Sequence, residues 1–244
     1  MIMELSRFYC RSINAPFVEL GASEAYHLFI VLRAVDGNKV ELFDGAGTLA
    51  MATVIEANRK KVTLKVDKMQ VIPRSTGPKI IIAPSIAKGE RLDWLIGKCT
   101  ELGVDCICPV LFERTVKQSK NPKITERWQN LAIAAAKQCR RLFLPQIDMP
   151  MPLHQILKVL KNKHPSARIL LGSLCSQCPT LINQHFGLND VVVFIGPEGG
   201  LTVEEELVLQ NAGAQMVRLT DTVLRVETAA IAFASILAAQ RNLG

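Results

Sequence analysis

The sequence predicts an α/β protein in which a small β-rich domain precedes a larger domain with a mostly parallel sheet. Within residues 1–72, short apolar runs recur with a period of two, which is typical of half-buried strands. Within residues 73–244, strand-length apolar runs alternate with helical patterns, which is typical of a sheet covered by helices on both faces. Two prolines, a glycine and small polar residues form a linker at residues 73–78. We therefore place the domain boundary between residues 72 and 73.

The elements of the first domain are three strands and one helix. The strands are predicted at residues 39–43, 50–55 and 61–66. A glycine-containing turn at residues 44–47 connects the first two strands. The helix is predicted at residues 23–32, with Ser23 as its N-cap. A small barrel or sandwich is the expected arrangement.

The elements of the second domain alternate along the chain. Strands are predicted at residues 79–83, 105–110, 168–172, 191–195 and 215–219. Helices are predicted at residues 92–102, 125–141, 203–212 and 226–242. This order favours parallel strands joined by helical crossovers.

The positive charge of the chain is concentrated in its middle third. Of 29 lysines and arginines against 22 aspartates and glutamates, residues 73–150 hold 13 basic and seven acidic ones. A basic zone attracts a polyanion such as RNA, because each neutralised phosphate releases condensed counterions. A solvated surface with surplus lysine would have the same composition.

We expect the protein to be cytoplasmic. Its first residues mix charged and apolar side chains, unlike a secretion signal, and no later apolar run is long enough to span a bilayer. The seven cysteines include one CxxC, at Cys175 and Cys178, without a second pair or histidines at ligand spacing. We therefore expect reduced thiols, no metal and no membrane partner.

The sharpest local feature is a buried strand that runs into a glycine-rich turn and then into a helix. Val191–Ile195 is followed by Gly-Pro-Glu-Gly-Gly-Leu, and Thr202 with Glu205 has the spacing of a capping box. Glycines let a ligand approach the backbone, and this end of a parallel strand is where open α/β sheets bind ligands. The spacing matches neither GxGxxG nor a P-loop. A tight turn without a ligand remains the alternative.

Several segments resemble the ribosomal RNA small subunit methyltransferase E family of the SPOUT superfamily. Residues 195–201 and 219–230 resemble the two cofactor-binding signatures of SPOUT methyltransferases. Further family blocks resemble residues 27–33, 88–91, 98, 100–104, 113–115 and 138–141. The resemblance extends over nearly the whole chain, with the blocks in the same order and spacing.

What the resemblance implies is methylation of N3 of a specific uridine in 16S ribosomal RNA with S-adenosyl-L-methionine (SAM) as cofactor. It also implies a PUA-like β-barrel as the N-terminal domain, a SPOUT-type knotted (trefoil) α/β domain after it, and a homodimer. The expected partner is 16S rRNA or the small ribosomal subunit. A SPOUT enzyme acting on another RNA, or an RNA-binding module without catalysis, are the alternatives.

The site residues are carried over position by position from that resemblance. The cofactor pocket is expected to include Leu171, Gly172, Ile195, Gly196, Pro197, Gly199, Gly200, Leu219, Leu224, Arg225, Thr228 and Ala229. The expected RNA contacts are Arg7, Arg33, Lys88, Arg91, Arg114 and Arg141.

The candidate catalytic residues are Arg225 and Glu198. Methylation at N3 removes an imide proton, so the site must stabilise a uracil anion. Arg225 lies between two apolar residues and is the expected stabiliser, unless it forms a structural salt bridge with Glu198 or Glu227. Glu198 is expected to orient the substrate or act as base, although a carboxylate near a helix start is also stabilised for structural reasons.

Overall fold

The computed structural model describes residues 5–58, 61–87, 89–115 and 123–242. The chain divides into two compact units, Met1–Ser75 with Ala136–Leu144, and Thr76–Ala135 with Pro145–Gly244. The first unit therefore includes a segment from the middle of the sequence, so a single boundary along the chain does not separate the two units. The boundary between residues 72 and 73 stays a prediction.

The first unit contains a five-stranded sheet with the order β1-β3-β4-β5-β2. The strands are β1 Arg7–Tyr9, β2 Phe17–Glu19, β3 Lys39–Phe43, β4 Thr48–Ala57 and β5 Val62–Val71. The pairs β3–β4, β4–β5 and β2–β5 are antiparallel, whereas β1 pairs with β3 in parallel. Because β1 and β2 stand at the two ends of this order, closure into a barrel stays a prediction.

The α-helical part of the helix in the first unit is shorter than the helix predicted at residues 23–32. It consists of α1 Ala22–Tyr26, continued by a π-helical turn at His27–Val31. Its N-cap is Gly21, so the expected capping by Ser23 is wrong. Ala25 and Leu28 are buried and join the core that the strands enclose, which fixes the helix on the sheet.

Residues 136–144 belong to the first unit through ion pairs and ring contacts. The Lys137 ammonium donates to both carboxylate oxygens of Glu24, at 2.9 and 2.7 Å, and lies 5.2 Å from the centre of the Phe8 ring. Arg140 Nη1 donates to Glu41 Oε1 at 3.3 Å. These contacts join residues that are far apart in the sequence, so the position of a residue along the chain does not by itself show which unit it belongs to.

The second unit contains a six-stranded sheet in which every pair is parallel, with the order β13-β11-β12-β6-β7-β9. The strands are β6 Ile80–Pro84, β7 Cys106–Ile107, β9 Gln146–Ile147, β11 Arg168–Gly172, β12 Val191–Ile195 and β13 Gln215–Val217. Two short strands, β8 Val110–Leu111 and β10 Met151–Pro152, form a separate parallel pair. Every residue of β6 and β12 is buried, as expected for central strands.

The helices of the second unit include one that the sequence analysis missed. They are α2 Arg91–Glu101, α3 Ile124–Cys139, α4 Leu153–Lys163, α5 Val203–Asn211 and α6 Val226–Arg241, and the last residues of α3 belong to the first unit. The missed helix is α4, whose buried Leu153, Ile156 and Leu160 follow the helical period. Among the described residues, no helix combines the length and apolarity needed to cross a membrane.

Asp44 organises the turn between β3 and β4, and its contribution to stability should depend on pH. Its Oδ1 accepts from the backbone amides of Ala46 and Thr48, at 2.7 and 2.9 Å. Burial alone would raise the pKa of Asp44, but the hydrogen bonds from Thr48, Ala46 and Gly47 outweigh it and lower that pKa.

Asp44→Ala should lower the free energy of unfolding by about 1–3 kcal/mol at pH 7, because two amides lose a charged acceptor. Since the folded pKa is depressed, the stabilisation is present above the unfolded value of about 3.9 and is lost as the pH falls through the folded value. Urea unfolding of both proteins from pH 7 to pH 3 measures this. A difference that stays constant over this range would contradict the explanation, and Asp36→Ala in an exposed turn is the control.

Candidate active site

The glycine-rich turn after β12 is fixed by the first turn of α5. Thr202 Oγ1 accepts from the Glu205 amide at 3.2 Å, and Glu205 Oε2 accepts from the Thr202 amide at 3.0 Å. The predicted capping box is therefore confirmed. Glu205 Oε1 also accepts from the Glu113 amide at 2.8 Å, which ties the segment after β8 to the same point.

Arg114 holds the turn from its other side. Its Nη1 donates to the Gly199 carbonyl at 2.8 Å and to the Leu201 carbonyl at 3.3 Å. Gly200 has a φ of +74°, a backbone conformation that glycine adopts without strain. The amide of Gly200 donates to the Pro197 carbonyl at 2.9 Å, so the turn is closed by its own backbone as well.

A second loop, residues 218–225, connects β13 to α6 and faces the glycine-rich turn across a cavity of about 380 Å³. The carboxyl ends of β11, β12 and β13 form the floor of this cavity. Gly172 at the end of β11 lets α6 approach, because a Cβ there would lie 3.1 Å from Phe233 Cε2. The cavity therefore lies where parallel sheets usually bind ligands.

The structure brings most of the predicted cofactor residues together around this cavity. Those that line it are Leu171, Gly172, Ile195, Gly196, Pro197, Gly200, Leu219, Leu224 and Ala229. The other three, Gly199, Arg225 and Thr228, do not line it. Lining residues that the sequence analysis did not include are Ser173, Leu174, Leu201, Glu206, Met216, Val217, Thr220, Thr222, Val223, Val226 and Phe233.

The cavity combines apolar walls with negative charge. Its only charged lining residues among those the structure describes are Glu198 and Glu206. A pocket with two carboxylates and no cation repels phosphate groups and favours a ligand with a positive charge. This composition agrees with the absence of a P-loop or dinucleotide fingerprint from the sequence.

A second cavity of about 240 Å³ adjoins the first one. The two share Pro197, Glu198 and Val226 in their walls. The other residues that line the second cavity are Ser85, Ile86, Ala87, Arg91, Arg114 and Gly199. Two arginines and one glutamate therefore surround a small space next to the larger cavity.

Arg91, at the start of α2, lies between two glutamates. Its Nη1 donates to Glu198 Oε1 at 2.6 Å, and its Nε lies 3.8 Å from Glu227 Oε1. Glu198 is 62% exposed in its side chain and Glu227 only 7%. Among the described residues, no salt bridge joins Arg225 to either glutamate, and the role of Arg225 stays a prediction. Arg225 is exposed as the N-cap residue of α6.

The expected RNA contacts have different environments. Arg7 is 8% exposed in its side chain, and its Nε donates to Glu41 Oε1 at 2.5 Å. Arg33 is exposed, whereas Arg141 is half-buried and its carbonyl accepts from Arg7 Nη1 at 3.5 Å. Arg91 and Arg114 lie at the second cavity. Lys88 lies outside the described residues.

One group of thiols was not recognisable from the sequence as a cluster. Cys106 Sγ and Cys108 Sγ are 3.4 Å apart, and Cys108 Sγ donates to Asp148 Oδ2 at 3.3 Å. The hydrogen bond with Cys106 and burial raise the pKa of the Cys108 thiol far above its usual value. Cys108 is therefore protonated at neutral pH and acts as a buried hydrogen-bond donor.

Models of two protein domains match this chain, and both describe RNA methyltransferases. An RNA methyltransferase domain model matches residues 74–238, and an RNA methyltransferase PUA domain model matches residues 20–67. The first match extends over more than half of the chain. The chain belongs to the RNA methyltransferase family.

Solved and curated members of this family resemble the chain over nearly its full length. A methyltransferase of Legionella pneumophila, solved in complex with its bound cofactor SAM, has 30% identity and a TM-score of 0.87, covering 97% of this chain and 98% of the other. Ribosomal RNA small subunit methyltransferase E of Neisseria gonorrhoeae, solved bound to S-adenosyl methionine, has 28% identity and a TM-score of 0.83, covering 97% of each chain. The protein of the same name from Buchnera aphidicola is 29% identical, covering 92% of this chain and 90% of its own.

These matches confirm the resemblance to the ribosomal RNA small subunit methyltransferase E family and the expected α/β fold class. Most of the methyltransferase match lies in the α/β unit, although it also includes residues 74–75 and 136–144 of the first unit, and the PUA match lies in the first unit. The trefoil knot was implied by resemblance and stays a prediction.

Thr202→Ala should lower the free energy of unfolding by about 1 kcal/mol, because it removes the acceptor of the Glu205 amide from the capping box. Chemical denaturation of the two proteins measures this. Glu204→Gln changes the neighbouring exposed position without touching the box, so it should shift stability by less than about 0.5 kcal/mol. Equal effects of the two substitutions would show that the capping box does not stabilise this turn.

Proposed function

We propose that this chain transfers a methyl group from S-adenosyl-L-methionine to N3 of a specific uridine in the 16S rRNA of the small ribosomal subunit. The observation that carries the proposal is the pair of adjoining cavities, one acidic and one with two arginines, in a chain of the RNA methyltransferase family. The Neisseria and Buchnera relatives are named for ribosomal RNA of the small subunit, and the Legionella and Neisseria structures hold SAM.

The larger cavity fits the cofactor in size, polarity and charge. Its volume of about 380 Å³ falls within the range of small-molecule sites. Apolar residues such as Leu219 and Leu224 suit an adenine ring, while the backbone of the two loops offers hydrogen bonds to polar groups. SAM carries net positive charge, which Glu198 and Glu206 favour, and when bound it supplies an electrophilic methyl group.

The smaller cavity is the proposed seat of the target uracil. It opens beside the larger one and shares Glu198 with it, so a base there would lie next to the methyl donor. Loss of the N3 proton leaves negative charge on the uracil, and the guanidinium groups of Arg91 and Arg114 stabilise such charge. Arg114 also fixes the glycine-rich turn, so this part of the site is held rigidly.

Two residues, Glu198 and Arg225, carry the proposed chemistry. Glu198 is mostly exposed and lines both cavities, so its carboxylate is the proposed acceptor of the N3 proton. Arg225 is exposed at the start of α6, between the cavity residues Leu224 and Val226. We propose that its guanidinium binds the uracil anion or the adjacent phosphate when RNA is bound.

The RNA itself would be held by arginines and by the first unit, which contains the PUA match. Arg33, Arg91, Arg114 and Arg141 are the described candidates. Arg7 is assigned to the packing of the first unit instead, because its guanidinium is buried against Glu41. We further propose a homodimer acting in the cytoplasm, as the family resemblance implies.

The proposal is tested by transfer of labelled methyl from SAM to small subunits and to free 16S rRNA that lack the modification, followed by nucleoside analysis. Label in 3-methyluridine is the expected result. Label in another nucleoside, or only in transfer RNA, would move the assignment to a different RNA methyltransferase activity. Failure to bind SAM and to methylate either RNA would favour an RNA-binding module without catalysis.

Ala229→Leu should weaken SAM binding by about ten-fold or more, because the added side chain enters the cavity that would hold the cofactor. Thr228→Leu is the matched control, since Thr228 is exposed and does not line the cavity. Isothermal titration calorimetry measures both affinities. Weaker binding in Thr228→Leu, with normal binding in Ala229→Leu, would place the cofactor elsewhere.

Arg225→Ala should reduce methyl transfer by roughly 100-fold or more, the cost typical of removing one charge-stabilising group. Its SAM affinity and melting temperature should remain close to those of the parent protein, because the side chain is exposed and does not line the cofactor cavity. Single-turnover transfer, calorimetry and thermal unfolding measure the three quantities. Turnover like that of the parent would remove Arg225 from the mechanism.

A further inference from the structure

Arg91 has two possible carboxylate partners, and only one of them is now in hydrogen-bond contact. Its Nη1 donates to Glu198 at 2.6 Å, which is a short charge-assisted hydrogen bond. Its Nε lies 3.8 Å from Glu227 Oε1, too far for a hydrogen bond. The guanidinium therefore lies between a mostly exposed glutamate, to which it donates a hydrogen bond, and a buried glutamate, to which it does not.

Glu227 is unusual because its second oxygen is both buried and unsatisfied. Oε2 has no hydrogen-bond donor among the described residues, and the side chain is 7% exposed. Leaving a buried acceptor without a donor is unfavourable, because the group loses its hydrogen bonds to water without replacing them. The position of Glu227 in the first turn of α6 offsets part of this cost through the helix dipole. The chain thus keeps a carboxylate oxygen available beside the proposed uracil site.

The ion pair between Arg91 and Glu198 conflicts with the proposed role of Glu198. When the N3–H bond of uracil breaks, the proton passes to a Glu198 oxygen and the carboxylate becomes a neutral carboxylic acid. The negative charge then resides on the uracil until the methyl group takes the place of the proton. At that moment Arg91 loses the charge of its present partner. The guanidinium can then donate to the uracil anion, and a second carboxylate within its reach would hold the Arg91 side chain in that position.

We propose that Glu227 is a positioning residue which takes over Arg91 when Glu198 accepts the proton, through the oxygen that now has no donor. This inference rests on the proposed function and extends it. Arg91 leaves Glu198 and is held by Glu227, while its remaining N–H groups donate to the uracil anion. The movement is small, because Arg91 already lies 3.8 Å from the other oxygen of the same carboxylate.

The other charged groups near Glu198 do not offer Arg91 the same alternative. Arg114 is occupied by the carbonyls of Gly199 and Leu201. Glu205 accepts from two backbone amides through separate oxygens. Glu206 faces the larger cavity, and the cationic Arg225 is exposed at the start of α6. Among the described residues, Glu227 is therefore the carboxylate best placed to receive Arg91.

The movement can be tested without any methyl transfer. Glu198→Gln keeps the shape of Glu198 but mimics its protonated, neutral form. A crystal structure of this variant should place an Arg91 nitrogen within about 3.2 Å of Glu227 Oε2. Arg91 remaining on residue 198, with Glu227 Oε2 still lacking a donor, would overturn the inference. Because residue 198 is mostly exposed, this variant should fold like the parent.

The kinetic consequence is tested by Glu227→Gln, in which the second partner has no charge. Its kcat should fall by about ten-fold or more, while the KM for SAM and for RNA stays within about two-fold, because binding does not require the exchange. In an Arg91→Ala background the same substitution should change kcat by less than about two-fold, since its effect passes through Arg91. Glu204→Gln is the matched control on an exposed surface of α5.

Each result has a separate meaning. Independent, multiplicative effects of the Glu227 and Arg91 substitutions would overturn the inference, because a merely structural glutamate would act in that way. A Glu227→Gln variant with the kcat of the parent would also overturn it. If the parent protein transfers no methyl group, the proposed function fails, and the Glu198→Gln structure still decides whether Arg91 moves to Glu227.

Discussion

The site depends on one constraint, the burial of β12 in the middle of an all-parallel sheet. All five residues of Val191–Ile195 are buried, and the strand pairs with β6 on one side and β11 on the other. Its direction and register are therefore fixed along its whole length. The glycine-rich turn must emerge at the carboxyl edge of the sheet, and the capping box then directs α5 away from it. The turn contributes Pro197 and Glu198 to the walls of both cavities.

The two cavities differ in charge, and this difference organises the proposed chemistry. The larger cavity has carboxylates and no cation among its described lining residues, whereas the smaller one has Arg91 and Arg114. A positively charged methyl donor and a uracil that becomes negative would thus each meet the opposite charge. Glu198 lines both cavities, so its carboxylate would reach the N3 atom that loses the proton and then receives the methyl group. The Glu227 carboxylate lies 3.8 Å from Arg91 Nε, and its second oxygen has no donor among the described residues.

The sequence predicted most of the sheet because its central strands are short and apolar and are followed by distinct turns. Strands β11 and β12 have the predicted bounds, and Thr202 caps α5 as its spacing indicates. The sequence predicted no helix at α4, although Leu153, Ile156 and Leu160 follow the helical period. It could not pair Arg91 with Glu198, since 107 positions separate them. Nor could it place residues 136–144 in the first unit, because the ion pair of Lys137 with Glu24 depends on tertiary structure.

The proposed chemistry requires that the acidic cavity holds the cofactor while the adjoining cavity holds the base to be methylated. A crystal structure of the protein with S-adenosylhomocysteine and a short RNA containing the target uridine would test this arrangement. The adenosine should lie between the glycine-rich turn and residues 218–225, and the uracil beside Glu198, Arg91 and Arg114. A uracil bound away from Glu198, or a cofactor outside the larger cavity, would contradict it.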